Sequence, residues 1–253
     1  MGQAQHGHTP MKRLAILALL LPMPAMAQDL PVESVDAYGT SLVGVWRVGS
    51  PNSVSTSGFF SPLQWGPERR HFCRIAPRDT DLEMTCSGGP EHWTVATDGD
   101  HVHFAWGTML LRFVLDGELQ DRGHFRGRYQ IKISGITSES PASYEAARVM
   151  PDPDDPGPIG RAQTLRRILE QGLADVPHDG ANWKDGLREP PKLGAVSAIA
   201  YLGAEDRERP ARERGGKSIV YAVNVYQVRF AQGERLCGLH QRDDGIVDDF
   251  RCV

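Results

Sequence analysis

His101-Val102-His103 is the densest group of proton-handling and metal-ligating side chains in the chain. On a strand, residues i and i+2 share a face. Both imidazoles therefore point one way, while Val102, Phe104 and Trp106 point to a core. A later stretch, HFRGRYQIK, alternates in the same manner, with Phe125, Tyr129 and Ile131 inward and His124, Arg126, Arg128 and Lys132 outward; Arg112 falls on that polar face as well. Two chemistries fit this set. His101, His103 and His124, with a carboxylate such as Asp121 as fourth ligand, would hold zinc and let it activate water, as in a metal-dependent hydrolase. Without metal, the same residues make a cationic face for an anionic ligand or an acidic partner surface. The plainest alternative is the solvated side of an antiparallel sheet.

Aromatic residues offer a second kind of site. Trp65, in FFSPLQWGPE, lies in a loop with Phe59 and Phe60, where it could line a binding site at a barrel mouth or cap the core. Trp46 and Trp106 sit in core register. Nucleophile and phosphate motifs are missing from the sequence: there is no G-x-S-x-G, S-x-x-K, H-E-x-x-H, P-loop or helix-opening G-x-G-x-x-G. The reading that follows is an exported, non-enzymatic binding or interaction protein, with no required cofactor. The alternatives are the zinc hydrolase and an envelope-assembly or inhibitor-like partner of another periplasmic protein.

These side chains need elements to hold them. The first is a targeting segment. Met11-Lys12-Arg13, an apolar run LAILALLLPMPAM and the small-x-small site Ala25-Met26-Ala27 read as a secretory signal over residues 1–27, with Met11 the expected start. Pro22 and Pro24 and the short apolar run argue against a membrane span. The expected location is the periplasm or extracellular space. A net charge of −4 gives no reason to expect nucleic acid as a partner.

In an oxidising compartment four cysteines read as disulfides. Asp244-Gly245 is a preferred two-residue hairpin turn. Folding strands about it sets Cys237 opposite Cys252 and Leu239 opposite Phe250, with a bulge expected near Asp243-Asp244-Gly245. A turn centred on Asp79-Thr80 likewise sets Cys73 opposite Cys86 and Ile75 opposite Met84. Each bridge would close a loop of about 15 residues, worth on the order of 3 kcal/mol.

The predicted fold has two domains, a mainly-β antiparallel barrel or sandwich followed by a small α+β domain. Residues 28–149 carry many short alternating runs between turn signals. They should end in a short helix over SPASYEAARVM, with Ser140 as cap and Pro141 at the first helical position. PDPDDPGPIG makes a linker over 150–160. In 161–253, TLRRILEQGLAD puts Leu165, Ile168, Leu169 and Leu173 on one helical face. GAVSAIAYLG and KSIVYAVNVYQVRFAQG follow as strands, the second apolar on both faces over 219–225 and covered on one side by the helix. The charged segments ERRH (68–71) and RERPARER (207–214), and the acidic run Asp243, Asp244, Asp248 and Asp249, read as solvated surface and turn chemistry.

LVGVWRV, with Gly44 and Trp46, resembles the Gly-x-Trp strand that opens lipocalin-like barrels. The resemblance implies that Trp46 closes the barrel floor under an arginine, with ligand entry at the opposite mouth; the sequence does not say which arginine. GAVSAIAYLG, YAVNVYQVRFAQGERLCGL and DDGIVDDF together resemble small cystatin- or NTF2-like α+β domains of secreted bacterial proteins. That resemblance implies binding or scaffolding.

Overall fold

The computed structural model describes residues 42–49, 70–88, 92–134, 136–152, 154–179, 187–209 and 219–253. The signal segment and Trp65 with its neighbouring phenylalanines lie outside these residues. So do positions 210–218 of the charged loop.

Eight antiparallel strands form a closed barrel in simple sequence order. They are β1 (Gly44–Gly49), β2 (His71–Arg78), β3 (Asp81–Cys86), β4 (Trp93–Asp98), β5 (His101–Gly107), β6 (Leu111–Asp121), β7 (His124–Ile133) and β8 (Ile136–Val149). Period-2 alternation explains why: Val102 and Phe104, Phe113, Leu115 and Leu119, and Phe125 and Tyr129 are buried in one interior cluster with Trp46, Ile75, Met84 and Trp93.

The helix expected over 140–150 is a strand instead. Its capping signals are local, but β1 and β7 each present a free edge. β8 pairs with both, from Val45↔Val149 on one side and His124↔Ala147 on the other. A helix there would leave two rows of backbone groups unpaired, a cost that closure removes. Tyr144 and Ala146 take the inward positions of the closing strand.

Antiparallel order also sorts the turns to two ends. At one end lie the start of β1, the Asp79-Thr80 turn and the β4–β5 and β6–β7 turns. At the other lie the ends of β1 and β3, the Thr108–Leu110 turn between β5 and β6, and the end of β7.

The second sheet has order β12-β11-β10-β9, from β9 (Val196–Arg209), β10 (Ile219–Phe230), β11 (Gly233–Gln241) and β12 (Val247–Cys252). Helix α1 (Arg161–Gln171) buries Leu165 and Ile168 against it. Leu173 joins them from a short 3₁₀ turn. The helix covers Tyr226, Val228 and Phe230 rather than the start of β10, where Ile219 and Val220 remain exposed. On the opposite face Val225 and Leu236 pack with Val45 and Phe72 of the barrel. Barrel and sheet belong to one compact unit. Among the described residues the architecture is therefore a barrel, a second sheet and one helix.

Both hairpins pair as the turns predict. Cys73↔Cys86 and Ile75↔Met84 are partners, as are Cys237↔Cys252 and Leu239↔Phe250, and both disulfides are formed. The bulge falls at His240/Gln241, just before the turn rather than within it. Within the segment 151–160, Asp152 and Asp155 accept from the backbone N–H groups of Asp154 and Gly157 at 2.9 and 2.8 Å. Gly157, with φ +67°, sits where a Cβ would come within 2.7 Å of the Tyr201 ring, so only glycine fits.

Candidate functional site

On the outer barrel wall the predicted residues form two charge rungs running across the strands. One reads His101, Glu118, Arg126, Glu145; the next reads His103, Asp116, Arg128, Ser143. His101 Nδ1 is 3.7 Å from Glu118, His103 Nδ1 is 3.6 Å from Asp116, and Arg126 Nε is 3.5 Å from Glu145. A groove of about 690 Å³ runs along them, lined by His101, Glu118, Arg126, Arg128, Gln130 and Ser143 among others. Along these two rungs cations and carboxylates alternate across the strands.

The histidines do not converge. His124 lies at the β6–β7 turn, bound to Asp121 at 2.8 Å. The backbone N–H of Gly123 and the His124 ring hold the Asp121 carboxyl below its usual range. Among the described residues, no group of three or more His, Cys, Asp or Glu side chains could hold a metal ion. The proposed zinc ligand set is therefore split between separate carboxylate partners.

Arg112 belongs to a different place, the barrel rim. The geometry of the two ends explains its role. At the β1 start, Trp46 Nε1 donates to the Leu42 carbonyl at 2.9 Å. The Arg148 guanidinium lies 5.0 Å from the Trp46 ring centroid, and its Nη2 donates to the Val43 carbonyl at 3.2 Å. A cation over an indole face, tied to the strand's own backbone, closes this end. Arg148 comes from the last strand of the barrel, and barrel closure alone brings it to the first.

Above this floor aromatic side chains pack together in the interior. Trp46–Phe125, Phe104–Phe125 and Trp106–Phe113 ring centroids are 4.9, 5.4 and 5.0 Å apart. At the opposite rim, a cleft of about 550 Å³ is lined by His92, Thr94, Trp106, Thr108, Met109 and Arg112. It combines an aromatic edge and a thioether with a guanidinium. Trp106, placed in the core by its register, is half-buried at this rim.

A third cluster was missed entirely by sequence reasoning. Where the second sheet meets the barrel, Glu205 is buried and accepts from the Ser87 hydroxyl, the Phe72 N–H at 3.3 Å and Arg207 Nε at 2.9 Å. His71 Nδ1 lies 3.7 Å from the same carboxylate. Arg207 reaches both Asp249 oxygens at 3.1 Å and the Ser87 carbonyl at 2.7 Å, and Tyr221 donates to Asp249 at 2.8 Å. Beside it His240 meets Asp248. Burial, the largest single influence, would raise the Glu205 pKa; the Arg207 charge and the interactions with His71 and Ser87 together outweigh it and hold the carboxyl at about 2. Burial would likewise discharge Arg207, but Asp249 and Glu205 keep it charged.

His71, Arg207, Asp248 and Asp249 all fall in segments that composition marked as solvated. The available signal was strand alternation through AEDRER, which puts Glu205 and Arg207 on one face of β9. The donors and acceptors of this cluster satisfy one another inside the fold, so it is a joint between barrel and sheet.

No protein-family model, curated protein or solved structure matches this chain. The eight-stranded antiparallel barrel agrees with the lipocalin-like expectation at the level of architecture. For the second sheet, a single α-helix is the only described feature shared with the cystatin- or NTF2-like expectation besides the sheet itself. Among the described residues no helix is long and apolar enough to cross a membrane.

Proposed function

We propose that this chain is an exported, non-enzymatic binding module of lipocalin-like build, whose working end is the rim facing away from Trp46 and Arg148. The observation that carries the reading is the Arg148–Trp46 closure, which leaves only the other end of the barrel for a ligand. Among the described residues, the cleft at that rim offers the place for such a ligand. Trp106 and Met109 there suit an apolar body, and Arg112 suits an anionic head, so the ligand class is an anionic amphiphile. Two formed disulfides are compatible with an oxidising compartment.

The test is a thermal-shift and tryptophan-fluorescence titration of the processed protein with a long-chain fatty acid and with the corresponding alcohol. Stabilisation by the acid, weaker with the alcohol and lost in Arg112→Gln, supports the reading. Hydrolytic turnover of ester or amide substrates without any ligand stabilisation overturns it.

A further inference from the structure

The β5–β6 turn at the same rim has an unusual surface. Met109 is 95% exposed, Leu110 70% and Ile133 45%. The backbone joins them into one cap: Thr108 N donates to Leu111 O at 2.9 Å, and Ser134 N donates to Leu110 O at 2.8 Å, tying the β7 end to the turn. Directly beneath, Arg112 and Lys132 are cross-strand partners. Like charges placed opposite one another on neighbouring strands are unfavourable. The next pair on that face, Val114↔Gln130, is uncharged.

We propose that this tip docks the protein on an anionic bilayer surface, with Met109, Leu110 and Ile133 entering the acyl boundary and Arg112 and Lys132 meeting lipid phosphates. The spacing fits. Arg112 is two strand residues behind Leu110, about 7 Å at roughly 3.3 Å per residue. Interfacial insertion is about 5–10 Å deep, so apolar tip and cationic girdle would fall at the acyl and headgroup levels together. The shape selects this partner over others. A convex cap of three side chains cannot enclose a small molecule. It is also far smaller than the roughly 1,000 Å² that a specific protein interface requires, whereas a bilayer needs only a few inserted groups and opposite charge. The inference rests on the rim as working end and shares Met109 and Arg112 with the cleft, adding Leu110, Ile133 and Lys132.

The experiment is co-flotation of the processed protein with vesicles of phosphatidylcholine alone and with phosphatidylglycerol added, at low and high salt. The expected result is binding to the phosphatidylglycerol vesicles that weakens with salt. It should fall at least about tenfold in Met109→Asp/Leu110→Asp and to the phosphatidylcholine level in Arg112→Gln/Lys132→Gln. Val220→Asp, an exposed apolar site on the second sheet, should leave it unchanged; melting curves establish that each variant is folded. Equal binding to both vesicles, no binding to either, or insensitivity to the tip variants overturns the proposal. So does concentration-dependent self-association abolished by the same variants, which would make the tip a contact with a second copy. Fatty-acid stabilisation without vesicle binding removes this inference alone. Vesicle binding without fatty-acid stabilisation removes the rim-cleft reading alone.

Discussion

Replacing Glu205 by Gln tests the joint between barrel and sheet most directly. The substitution keeps volume and one acceptor oxygen but removes the charge facing Arg207 and turns an NH₂ group either toward the Arg207 donor or toward those of Ser87 and Phe72. Breaking a buried ion pair by removing one partner costs about 3–5 kcal/mol. The retained oxygen and the remaining Arg207–Asp249 contacts place the change near the lower end, about 3 kcal/mol. For a chain of this size that corresponds to a fall in melting temperature of about 6–12 °C.

Urea unfolding with disulfides intact measures the loss. Glu205→Gln/Arg207→Met should cost less than the sum of its single variants by more than about 1 kcal/mol, because the two residues share one interaction. Titration supplies an independent arm. The folded pKa of Glu205, about 2, lies below its ordinary value of 4.5. A depressed carboxyl contributes its stability above the unfolded pKa and loses it as pH falls toward the folded one. The gap between wild type and Glu205→Gln should therefore be full at neutral pH and narrow as pH drops from 4.5 toward 2. A loss under about 1 kcal/mol at pH 7, or a gap that does not change on acidification, would refute the reasoning.

Three further outcomes are expected. Removing either bridge, as Cys73→Ala/Cys86→Ala or Cys237→Ala/Cys252→Ala, should lower stability by about 3 kcal/mol in urea unfolding. Non-reduced peptide mapping should find only these two pairings. Arg148→Gln should cost about 2–3 kcal/mol, through loss of the ring contact and weakening of the bond to Val43, and should change the Trp46 contribution to fluorescence. Gly127→Ala should destabilise by at least about 2 kcal/mol, because its Cβ would meet the Asp116 carbonyl at 2.2 Å and the Gly117 Cα at 2.6 Å, both backbone. Gly123→Ala, whose Cβ would meet only Asp121 Oδ1 at 3.7 Å, is the near-neutral comparison in the same melting assay.

What could be read from the chain depended on sequence distance. The two hairpins were legible because a turn fixes which cysteine faces which, and both partners lie within 15 residues. α1 was legible because Leu165 and Ile168 repeat at helical spacing. β8 was misread because Ser140 and Pro141 are local helix-start signals, while the demand that overrides them is the pairing of β1 and β7, set by the whole barrel. The histidine pattern correctly put His101 and His103 on one outward face. Composition could not reveal the carboxylates opposite, because Glu118 and Asp116 come from the neighbouring strand. Arg148 over Trp46 and Arg207 against Glu205 and Asp249 are long-range contacts between charged residues and buried surfaces. Single-sequence reasoning defaults to placing such residues in solvent.

Each sulfur bridge stays inside its own hairpin, so the backbone through 151–160 is the sole covalent thread from the front half to the back half. A protease that severed that thread would leave two pieces held by the bonds of Glu205 with Ser87 and Phe72, the bond of Arg207 to the Ser87 carbonyl, and the Val45, Phe72, Val225 and Leu236 contact. The nicked protein would then survive as a reconstitutable pair whose separation on dilution reports the strength of that joint.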